Sequence, residues 1–364
     1  MDIRIRTLTP LWTGGVGKTC DRLHETGIIG SLRWWYEAIV RGLGGKACNP
    51  TSKGECAFNA EEYAKISASD ERQRLRNAGL CEVCQVFGAT GWRRRFRLHI
   101  VETEVSDAQI DHTISLNNSK YTDDKGKQRT PTWYFRDPTQ SCKPKPNTPK
   151  QGLFTIQIQS LDSDFSPDVI AALIQFIADW AALGARAQMG FGVIELQNGR
   201  IDTQPIYDWL VHVAGNQTYT DLPSLRNIFL ARISPKNGET FSEKDTFNLK
   251  YDLRRLFASD KRLRHFIMGT VKGKRLAAKV KMSRSYGDGL MRVWGWIPEA
   301  ADVYQGSWNR DKVVSEIHKH LSTNYTLQVW REMNSPRDTI TPNNGDALVF
   351  LRDLLAILEE DNAV

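Results

Sequence analysis

Alternating apolar and charged residues open the chain and predict a β-strand with one buried face. Ile3 and Ile5 alternate with Arg4 and Arg6, which is the two-residue period of a half-buried strand. A helix from Ser31 to about Leu43 is predicted to follow this strand. The fold is therefore expected to begin with a βα unit.

The same alternation predicts two more strands, at Phe96 to Ile100 and at Phe154 to Ile158. Ser166-Pro167 is a favourable helix start, and the apolar face that follows it ends at Gly184. A last strand is predicted from Phe191 to Leu196. The order β-α-β-β-α-β is the ferredoxin-like arrangement, in which two helices cover one face of an antiparallel sheet. The other face is left available, and many proteins bind single-stranded RNA there.

The second half of the chain predicts a less complete version of this pattern. Strands are expected from Leu276 to Met282, Leu290 to Ile297 and Tyr325 to Trp330, with a helix from Asp311 to Leu321. A final amphipathic helix carries Leu348, Leu351, Leu355 and Leu358. The sequence thus predicts an α+β protein of two tandem ferredoxin-like domains, residues 1–205 and 206–364, of which the second is diverged.

Two segments interrupt the first domain. Residues 46–90 form a cysteine-rich loop, and residues 117–150 consist mainly of Asn, Ser, Lys, Thr, Asp and Pro. Such a composition buries too little apolar area to offset the entropy of ordering, so a flexible insertion is predicted. Its aromatic residues Trp133, Tyr134 and Phe135 either dock on a neighbouring protein or pack back onto their own domain.

Charge narrows the class of partner. The 364 residues carry a formal net charge of +7, which favours an anionic partner. Between Arg254 and Arg284 there are eleven Lys and Arg residues and the single acid Asp260, so this segment is either a nucleic-acid face or a solvated basic surface. No run reaches the roughly 20 apolar residues of a membrane helix, and Met1 to Arg6 lacks the apolar core of a secretion signal. We expect a cytoplasmic protein without a membrane partner.

Four of the six cysteines are grouped in the cysteine-rich loop, at Cys48, Cys56, Cys81 and Cys84. Four thiolates suit tetrahedral zinc, and the pair at 81 and 84 has the close spacing of such sites. In a reducing compartment, clustered cysteines are more often metal ligands than disulfides. Structural zinc is therefore the predicted cofactor, and the alternative is four free cysteines of which some are buried.

The segment from Gly27 to Gly45 combines features that bind phosphate. Gly30 and Ser31 lie at the predicted helix start, where unpaired backbone N–H groups and the helix dipole attract an anion. Arg33 adds a guanidinium group and Trp34 adds an aromatic face. We predict that these four residues contact RNA.

Arginines are also concentrated just before the second predicted strand, at Arg93, Arg94, Arg95 and Arg97. If they lie on the strand, alternate arginines share one face and line a groove for phosphates. The alternative is that they form ion pairs with carboxylates across the sheet. Trp92 either stacks on a base or fills the core.

A glycine-rich stretch, Gly14-Gly15-Val16-Gly17-Lys18-Thr19, matches only the end of a nucleotide-binding P-loop. A P-loop requires a glycine where this chain has Trp12, and its helix runs directly from the lysine, whereas the predicted helix begins later. The glycines Gly14 and Gly15 still permit close approach to a phosphate, with Lys18 as a point charge. A surface turn without function is the alternative.

Four blocks of sequence resemble the RAMP superfamily, specifically the guide 3′-end subunit of the Cmr effector complexes of type III-B CRISPR systems. The blocks are residues 27–45, residues 81–88, residues 183–192 and residues 283–298. They follow the order of the family and span most of the chain. The resemblance therefore implies an RNA-binding protein of tandem ferredoxin-like domains.

The resemblance also implies which residues face the RNA. The glycine-rich loop with Arg186, Gly190, Phe191 and Gly192 is expected to contact the guide RNA through backbone N–H groups, although a tight helix-to-strand connection also requires glycines. In the second domain, the implied contacts to the 3′ portion of the guide are Lys279, Lys281, Arg284 and Tyr286. Other partners implied are the target RNA and neighbouring Cmr subunits, above all the small RAMP subunit.

The function implied is a non-catalytic RNA-binding subunit in antiviral defence. Some RAMP relatives cleave RNA with a histidine base, and His24 beside Glu25 is the best-placed histidine for this alternative, a metal-independent ribonuclease that processes guide precursors. A second alternative is a free-standing ATP-binding protein that uses Lys18. The two are distinguished by cleavage that disappears in His24→Ala and by ATP affinity that disappears in Lys18→Ala.

Overall fold

The structure of the chain is a computed structural model. The structure describes all residues except 16, 18, 50–54, 67–69, 109–112, 116–119, 123–124, 131, 135–147, 271–274, 288 and 357–364. Lys18, Phe135 and Leu358 lie outside the described residues, as does most of the predicted insertion.

The first part of the chain contributes the following described strands and helices. The strands are β1 (Asp2–Thr7), β2 (Phe96–Asp107), β3 (Thr113–Ser115), β4 (Tyr121–Thr122), β5 (Gln128–Arg129), β6 (Thr132–Tyr134), β7 (Lys150–Ser160) and β8 (Ile194–Leu196). The helices are α1 (Glu25–Gly42), α2 (Ala60–Lys65), α3 (Glu71–Asn77), α4 (Glu82–Phe87) and α5 (Asp168–Trp180). The first sheet is antiparallel with the order β2-β7-β1-β8, while β3 pairs with β6 and β4 pairs with β5.

The second part repeats this topology. Its helices are α6 (Gln204–Val211), α7 (Asp245–Leu256), α8 (Lys261–Met268), α9 (Arg310–Asn324) and α10 (Ala347–Leu355). Its strands are β9 (Ile228–Ser234), β10 (Val280–Met282), β11 (Met291–Trp296) and β12 (Thr326–Glu332), and they form an antiparallel sheet with the order β10-β11-β9-β12. Both sheets thus have the ferredoxin-like strand order, and the predicted α+β class with tandem ferredoxin-like units is confirmed.

The second unit is more complete than its sequence predicts, because β9 and α7 supply the missing first strand and helix. Five of the seven residues of β9 are buried, because its two faces contact different cores. A strand buried on both faces has no alternation of apolar and polar residues, so the pattern that reveals β1 is absent from β9.

The layers alternate between sheets and helices. Ile3 and Phe154 of the first sheet share a core with α1 and α5, and Leu230 and Trp294 of the second sheet belong to that same core. The opposite face of the second sheet packs against α7, α8 and α9 in a separate core. The helices α1 and α5 therefore lie between the two sheets.

This arrangement corrects one expectation. The ferredoxin-like arrangement was predicted to leave the helix-free face of its sheet available, but in the second sheet that face is buried against the first unit. The free face of the first sheet does remain exposed and carries Arg4, Arg6 and Arg97. The boundary predicted at Pro205 falls within α6, which packs on α5, and remains a prediction.

Two cross-strand neighbours, Arg232 and Arg292, fix the second sheet to the end of α5. Arg232 donates to the carbonyl of Asp179 at 2.8 Å, and Arg292 donates to the carbonyl of Ala181 at 2.9 Å. The last carbonyl groups of a helix lack partners within the helix and carry partial negative charge. The two guanidinium groups therefore stabilise the C-terminal end of α5 while joining the two units.

Candidate nucleic-acid interface and metal centre

The start of α1 differs from its prediction. The helix begins at Glu25, six residues before Ser31, and the backbone N–H groups of Gly27 and Ile28 already donate to the carbonyl of His24. Gly30 and Ser31 consequently lie inside the helix, where their N–H groups belong to its hydrogen-bond ladder. The predicted helix start at Ser31 is therefore wrong, because the residues from Glu25 onwards are already helical, whereas contact of Gly30 and Ser31 with RNA remains a prediction.

Two glycine-rich loops of the first unit pack against each other. The carbonyl of Trp12 accepts a hydrogen bond from the N–H of Ala185 at 2.8 Å, and the guanidinium of Arg186 lies 4.2 Å from the centroid of the Trp12 ring. Arg186 has a φ of 58°, a conformation uncommon outside glycine. Burial lowers the pKa of Arg186. The loop that carries Gly14 and Gly15 and the loop of residues 184–192 thus form one continuous surface.

This surface continues into the second unit at Gly190. The carbonyl of Gly190 accepts a hydrogen bond from the N–H of Arg284 at 3.0 Å, and a Cβ atom at Gly190 would lie 2.8 Å from that nitrogen. The ammonium of Lys250, on α7, donates to the carbonyl of Gln188 at 2.6 Å. Only glycine permits this approach of loop and strand, so the units are fixed together at Gly190.

The predicted residues of this region have different environments. Phe191 is buried with Trp12 and Cys20, and the N–H of Gly192 donates to the carbonyl of Pro10. Arg284 forms an ion pair with Glu243, and the Tyr286 hydroxyl accepts a hydrogen bond from Arg292 at 2.8 Å. Seven of the residues that line the two loops and the adjoining end of β10 are together called the junction surface. They are Gly14, Gly15, Arg186, Gly190, Lys279, Lys281 and Arg284.

The lysines of the junction surface lie among aromatic rings. The Lys279 ammonium is 3.6 Å from the ring centroid of Phe266 and 5.0 Å from that of Trp296. The Lys281 ammonium is 5.4 Å from the ring centroid of Trp34. Trp34 therefore contacts a cation of the second unit, which its position on α1 did not predict.

The arginines that precede β2 have different environments. The strand begins at Phe96, so Arg93, Arg94 and Arg95 do not lie on it. Arg95 is buried and donates to Asp164 at 2.8 Å and to the carbonyl of Gln85. The predicted shared face is therefore wrong, and the pairing alternative describes Arg95, whose guanidinium stabilises the cysteine-rich region.

Arg93 is exposed and paired with Asp162 at 3.0 Å, while Arg94 is half-buried. The predicted RNA contacts of Arg93 and Arg94 remain predictions. Trp92 donates from its indole nitrogen to the carbonyl of Gln85 and packs on Phe58, so it is part of the packing of this region.

The four clustered cysteines converge on one point. The sulfur atoms of Cys48, Cys56, Cys81 and Cys84 all lie within 4.8 Å of one another. Backbone N–H groups donate to two of them, from Cys48 to Cys81 at 3.4 Å and from Cys81 to Cys56 at 3.3 Å. Hydrogen bonds from neighbouring cysteines lower the pKa of Cys56 and of Cys81 to about 7. Four converging sulfur ligands of this kind fit a tetrahedral metal ion.

Arg33 is part of this cysteine cluster. Its guanidinium donates to the Cys84 sulfur at 3.3 Å, to the carbonyl of Gly88 at 3.2 Å and to Glu37 at 2.9 Å. If the four cysteines bind a metal ion as thiolates, the nearby guanidinium would offset their negative charge, as outer-sphere groups do around metal sites. The predicted contact of Arg33 with RNA is untested, and in the structure its donors serve the cysteine loop.

His24 lies at the first glycine loop. Its Nε2 atom is 2.9 Å from Asp21 Oδ1, and a Cβ atom at Gly15 would lie 2.6 Å from its ring. The hydrogen bond from His24 lowers the pKa of Asp21. The segment around Lys18 is not a P-loop, since Thr19 and Cys20 are not helical and α1 begins only at Glu25.

Sequence reasoning missed three contributors to this region, namely Lys250, Phe266 and Trp296. Each lies in an element whose place beside the first unit depends on the topology of the second sheet. The basic composition between Arg254 and Arg284 was the available signal for Phe266, whereas nothing local distinguishes Lys250 from other helical lysines.

Comparison with known proteins finds a matching protein family for this chain. The model of the RAMP superfamily matches residues 4–195. No curated protein sequence matches the chain significantly. No helix among the described residues is long and apolar enough to span a bilayer.

Solved structures with a related fold are distant. The apo form of Cmr1 from Pyrococcus furiosus is 14% identical with a TM-score of 0.42, over 88% of this chain and 96% of that chain. A chain of the type III-B Cmr-beta complex bound to cognate target RNA is 11% identical with a TM-score of 0.42, over 88% and 99% of the two chains. Since the family model covers more than half of the sequence, the chain belongs to the RAMP superfamily.

Proposed function

We propose that the protein is a non-catalytic RNA-binding subunit of a type III-B CRISPR (Cmr) surveillance complex. In this role it holds the 3′ region of the guide RNA and the paired target during antiviral defence in the cytoplasm. Its partners are the guide RNA, the target RNA and other Cmr subunits, especially the neighbouring small RAMP subunit. Membership of the RAMP superfamily and the four sequence blocks described above support this proposal.

The observation that carries the proposal is the junction surface. Glycine loops of the first unit and the cationic end of β10 in the second unit meet at Gly190 and Arg284. Glycines let a phosphate approach the backbone closely, and cations on both sides bind the charge of the nucleic-acid backbone without reading its sequence. Base pairing between guide and target then supplies the specificity, as in other RNA-guided complexes.

The test measures binding of a fluorescent single-stranded oligoribonucleotide to the full chain at two salt concentrations, in EDTA and in Mg²⁺. Salt-sensitive binding of intact RNA is expected, with weaker binding in Arg186→Gln. Lys312→Gln is the matched control, since Lys312 is exposed on α9 and pairs with Glu316. Absence of binding by the wild-type chain contradicts the proposal.

We further propose that the four clustered cysteines bind one structural zinc ion. Zinc would connect Cys48 and Cys56 to the two cysteines at the start of α4, and so hold a polar region that has few buried residues in α2 and α3. Elemental analysis should find one zinc per chain in the wild type and in the control Cys20→Ser, and none in Cys84→Ser. Equal zinc in Cys84→Ser and in the wild type would exclude the site.

One observation favours a second function, metal-independent RNA cleavage. The imidazole of His24 is oriented by Asp21 and lies against Gly15, beside the proposed RNA path. A histidine held by a carboxylate is a suitable general base. Cleavage products in EDTA that disappear in His24→Ala would establish a ribonuclease, and intact RNA in both would support the non-catalytic role.

A further inference from the structure

We propose that Cys48 and Cys84 form a modification site, at which hydrogen peroxide converts their two thiols into an intramolecular disulfide. Closure of this bond leaves only Cys56 and Cys81 of the cysteine cluster as metal ligands, so a bound metal ion is released. This inference goes beyond the proposed RNA-binding role, and only the release of metal rests on the proposed zinc site.

The two sulfur atoms lie near bonding distance. Cys48 Sγ is 3.5 Å from Cys84 Sγ, whereas a disulfide bond is about 2.05 Å long, so the sulfurs must approach by about 1.5 Å. Cys84 lies on α4, and Cys48 lies in the irregular segment that follows α1. Because irregular segments adjust more readily than helices, Cys48 is the partner that moves.

A cavity beside the cluster gives the oxidant access to one of the two sulfurs. It has a volume of about 350 Å³ and is lined by Cys48 together with Lys46 and Tyr219. Cys48 is half-buried, whereas Cys84 is buried. The oxidation of a cysteine depends on its exposure. Hydrogen peroxide therefore reaches Cys48 first, and Cys84 supplies the second thiol.

The reaction balances with hydrogen peroxide as the only oxidant. The Cys48 sulfur takes one oxygen atom from the peroxide and becomes a sulfenic acid, while the other oxygen atom leaves as water. The Cys84 sulfur then attacks the sulfenic sulfur, so that the S–S bond forms and a second water leaves. Two thiols thus give up two electrons and two protons to one peroxide. When the sulfurs begin as metal-bound thiolates, solvent supplies the two protons.

The position of Cys48 also connects the cluster to the second unit. Its N–H donates to the Cys81 sulfur at 3.4 Å, and its carbonyl accepts a hydrogen bond from Arg41 at 2.9 Å. Arg41 also donates to the carbonyl of Pro223, before β9, at 3.2 Å. A movement of Cys48 towards Cys84 therefore affects a contact between the units as well as the metal site.

The experiment treats the full chain with hydrogen peroxide, both as purified and in EDTA. Zinc transferred to a coloured chelator, free thiols and disulfide-linked peptides are measured, the last by mass spectrometry without reduction. We expect loss of the one bound zinc, loss of two thiols and a linked peptide pair that contains Cys48 and Cys84. Dithiothreitol with added zinc should reverse all three changes, since thiols reduce disulfides by exchange.

Variants in EDTA identify the pair without any contribution from metal. Cys56→Ser should still form the link between Cys48 and Cys84, whereas in Cys48→Ser the Cys84 thiol should remain free. Cys20→Ser is the matched control, because Cys20 belongs to a separate core, and it should form the same link as the wild type. If Cys48→Ser fails to fold, the peptide map of the wild type still decides which sulfurs are joined.

The outcomes separate this inference from the zinc proposal. A predominant link between Cys81 and Cys84, or sulfinic acids without a disulfide, would overturn the inference. Retention of zinc and of all four thiols, at a peroxide concentration that oxidises glutathione completely, would overturn it while the zinc site stands. A chain that is purified without zinc but forms the link between Cys48 and Cys84 would support the disulfide and reject the zinc site. None of these results depends on RNA.

Discussion

At the scale of single residues, Arg33 shows that an arginine predicted to bind phosphate can instead support a cluster of cysteines. Its place between glycines and aromatics predicted a phosphate ligand, but its guanidinium donates to the Cys84 sulfur and to the Gly88 carbonyl. Outer-sphere partners of metal ligands affect metal affinity by about 10- to 100-fold. We expect Arg33→Ala to release zinc to a chelator about 10- to 100-fold faster than the wild type.

The measurement is the rate of zinc transfer to a coloured chelator. Arg22→Ala is the control, because Arg22 is exposed and its guanidinium pairs with Glu25 and the Leu23 carbonyl of its own segment. Arg33→Lys should give an intermediate rate, since it keeps the charge but loses the fork of donors. A wild-type release rate in Arg33→Ala would show that the arginine does not support the cluster.

The lysines of the junction surface, Lys279 and Lys281, predict a pH dependence of RNA binding at the same scale. In the free protein the pKa of Lys279 and of Lys281 is about 8, and a bound phosphate raises both. RNA affinity should therefore be highest below pH 8, where both lysines are protonated in the free protein, and should fall from about pH 8 towards pH 10.

A double variant in which both lysines are replaced by arginine should lose this dependence, because guanidinium groups stay charged throughout that range. Fluorescence anisotropy of labelled RNA between pH 7 and pH 10 measures the affinity of both proteins. A parallel decline in the wild type and in the double arginine variant would assign the effect to other groups.

At the scale of elements, the early start of α1 makes a prediction about its glycines. A Cβ atom at Gly30 would contact nothing within 4 Å, whereas one at Gly27 would lie 3.0 Å from Thr13. Alanine in a helix interior is favoured over glycine by about 1 kcal/mol. Gly30→Ala should therefore raise the free energy of unfolding by about 0.5–1 kcal/mol without weakening RNA binding.

Chemical denaturation and RNA titration of the same samples make this comparison. Gly27→Ala is the companion variant, and its gain should be smaller because Thr13 must move. If Gly30→Ala instead weakened RNA binding at unchanged stability, Gly30 would act as a phosphate ligand, as its sequence neighbourhood suggested.

The burial of each strand explains why some strands were predicted from the sequence and others were not. The strands β1, β2 and β7 expose one face to solvent, so their alternation is visible in the sequence. The strand β9 is buried on both faces and begins with the apolar run Ile228 to Ala231 instead of an alternating pattern. The first turn of α1 contains glycine and polar residues, and its place is set by contacts with Thr13 that no local pattern contains.

In the candidate site, the cysteine cluster is the part that the spacing of residues in the sequence predicted. Their convergence within 4.8 Å agrees with the four-ligand prediction. The junction surface was predicted only residue by residue, because its members come from three segments that lie far apart in the chain, residues 14–15, 186–190 and 279–284. Phe266 and Trp296 required the strand order of the second sheet, which a single sequence does not contain.

At the scale of the whole molecule, the shared core predicts that the first unit does not fold alone. The core of α1 and α5 includes Ile206 of α6, Leu230 of β9 and Phe350 of α10. A fragment of residues 1–205 would expose the apolar surface that these residues cover. We expect this fragment to be insoluble when expressed alone and to become soluble on co-expression with residues 206–364.

Soluble yield and cooperative thermal unfolding decide this prediction. Substitution of a single interface residue provides a milder test, since Arg292→Met removes the donor to Ala181 but keeps much of the side-chain volume. A soluble fragment 1–205 with a cooperative unfolding transition would show that the two units are independent domains.

The position of α5 has a consequence for the evolution of the family. All residues from Val169 to Trp180 are buried, whereas in the longer helix α9 only Val313, Val314, Ile317 and Leu321 are. A helix with neighbours on every side has no face on which substitutions are neutral. Among related sequences, α5 should therefore accumulate changes slowly and without a 3.6-residue period, while α9 should vary freely on its outer face. Substitution rates along an alignment would thus trace the layers of the molecule.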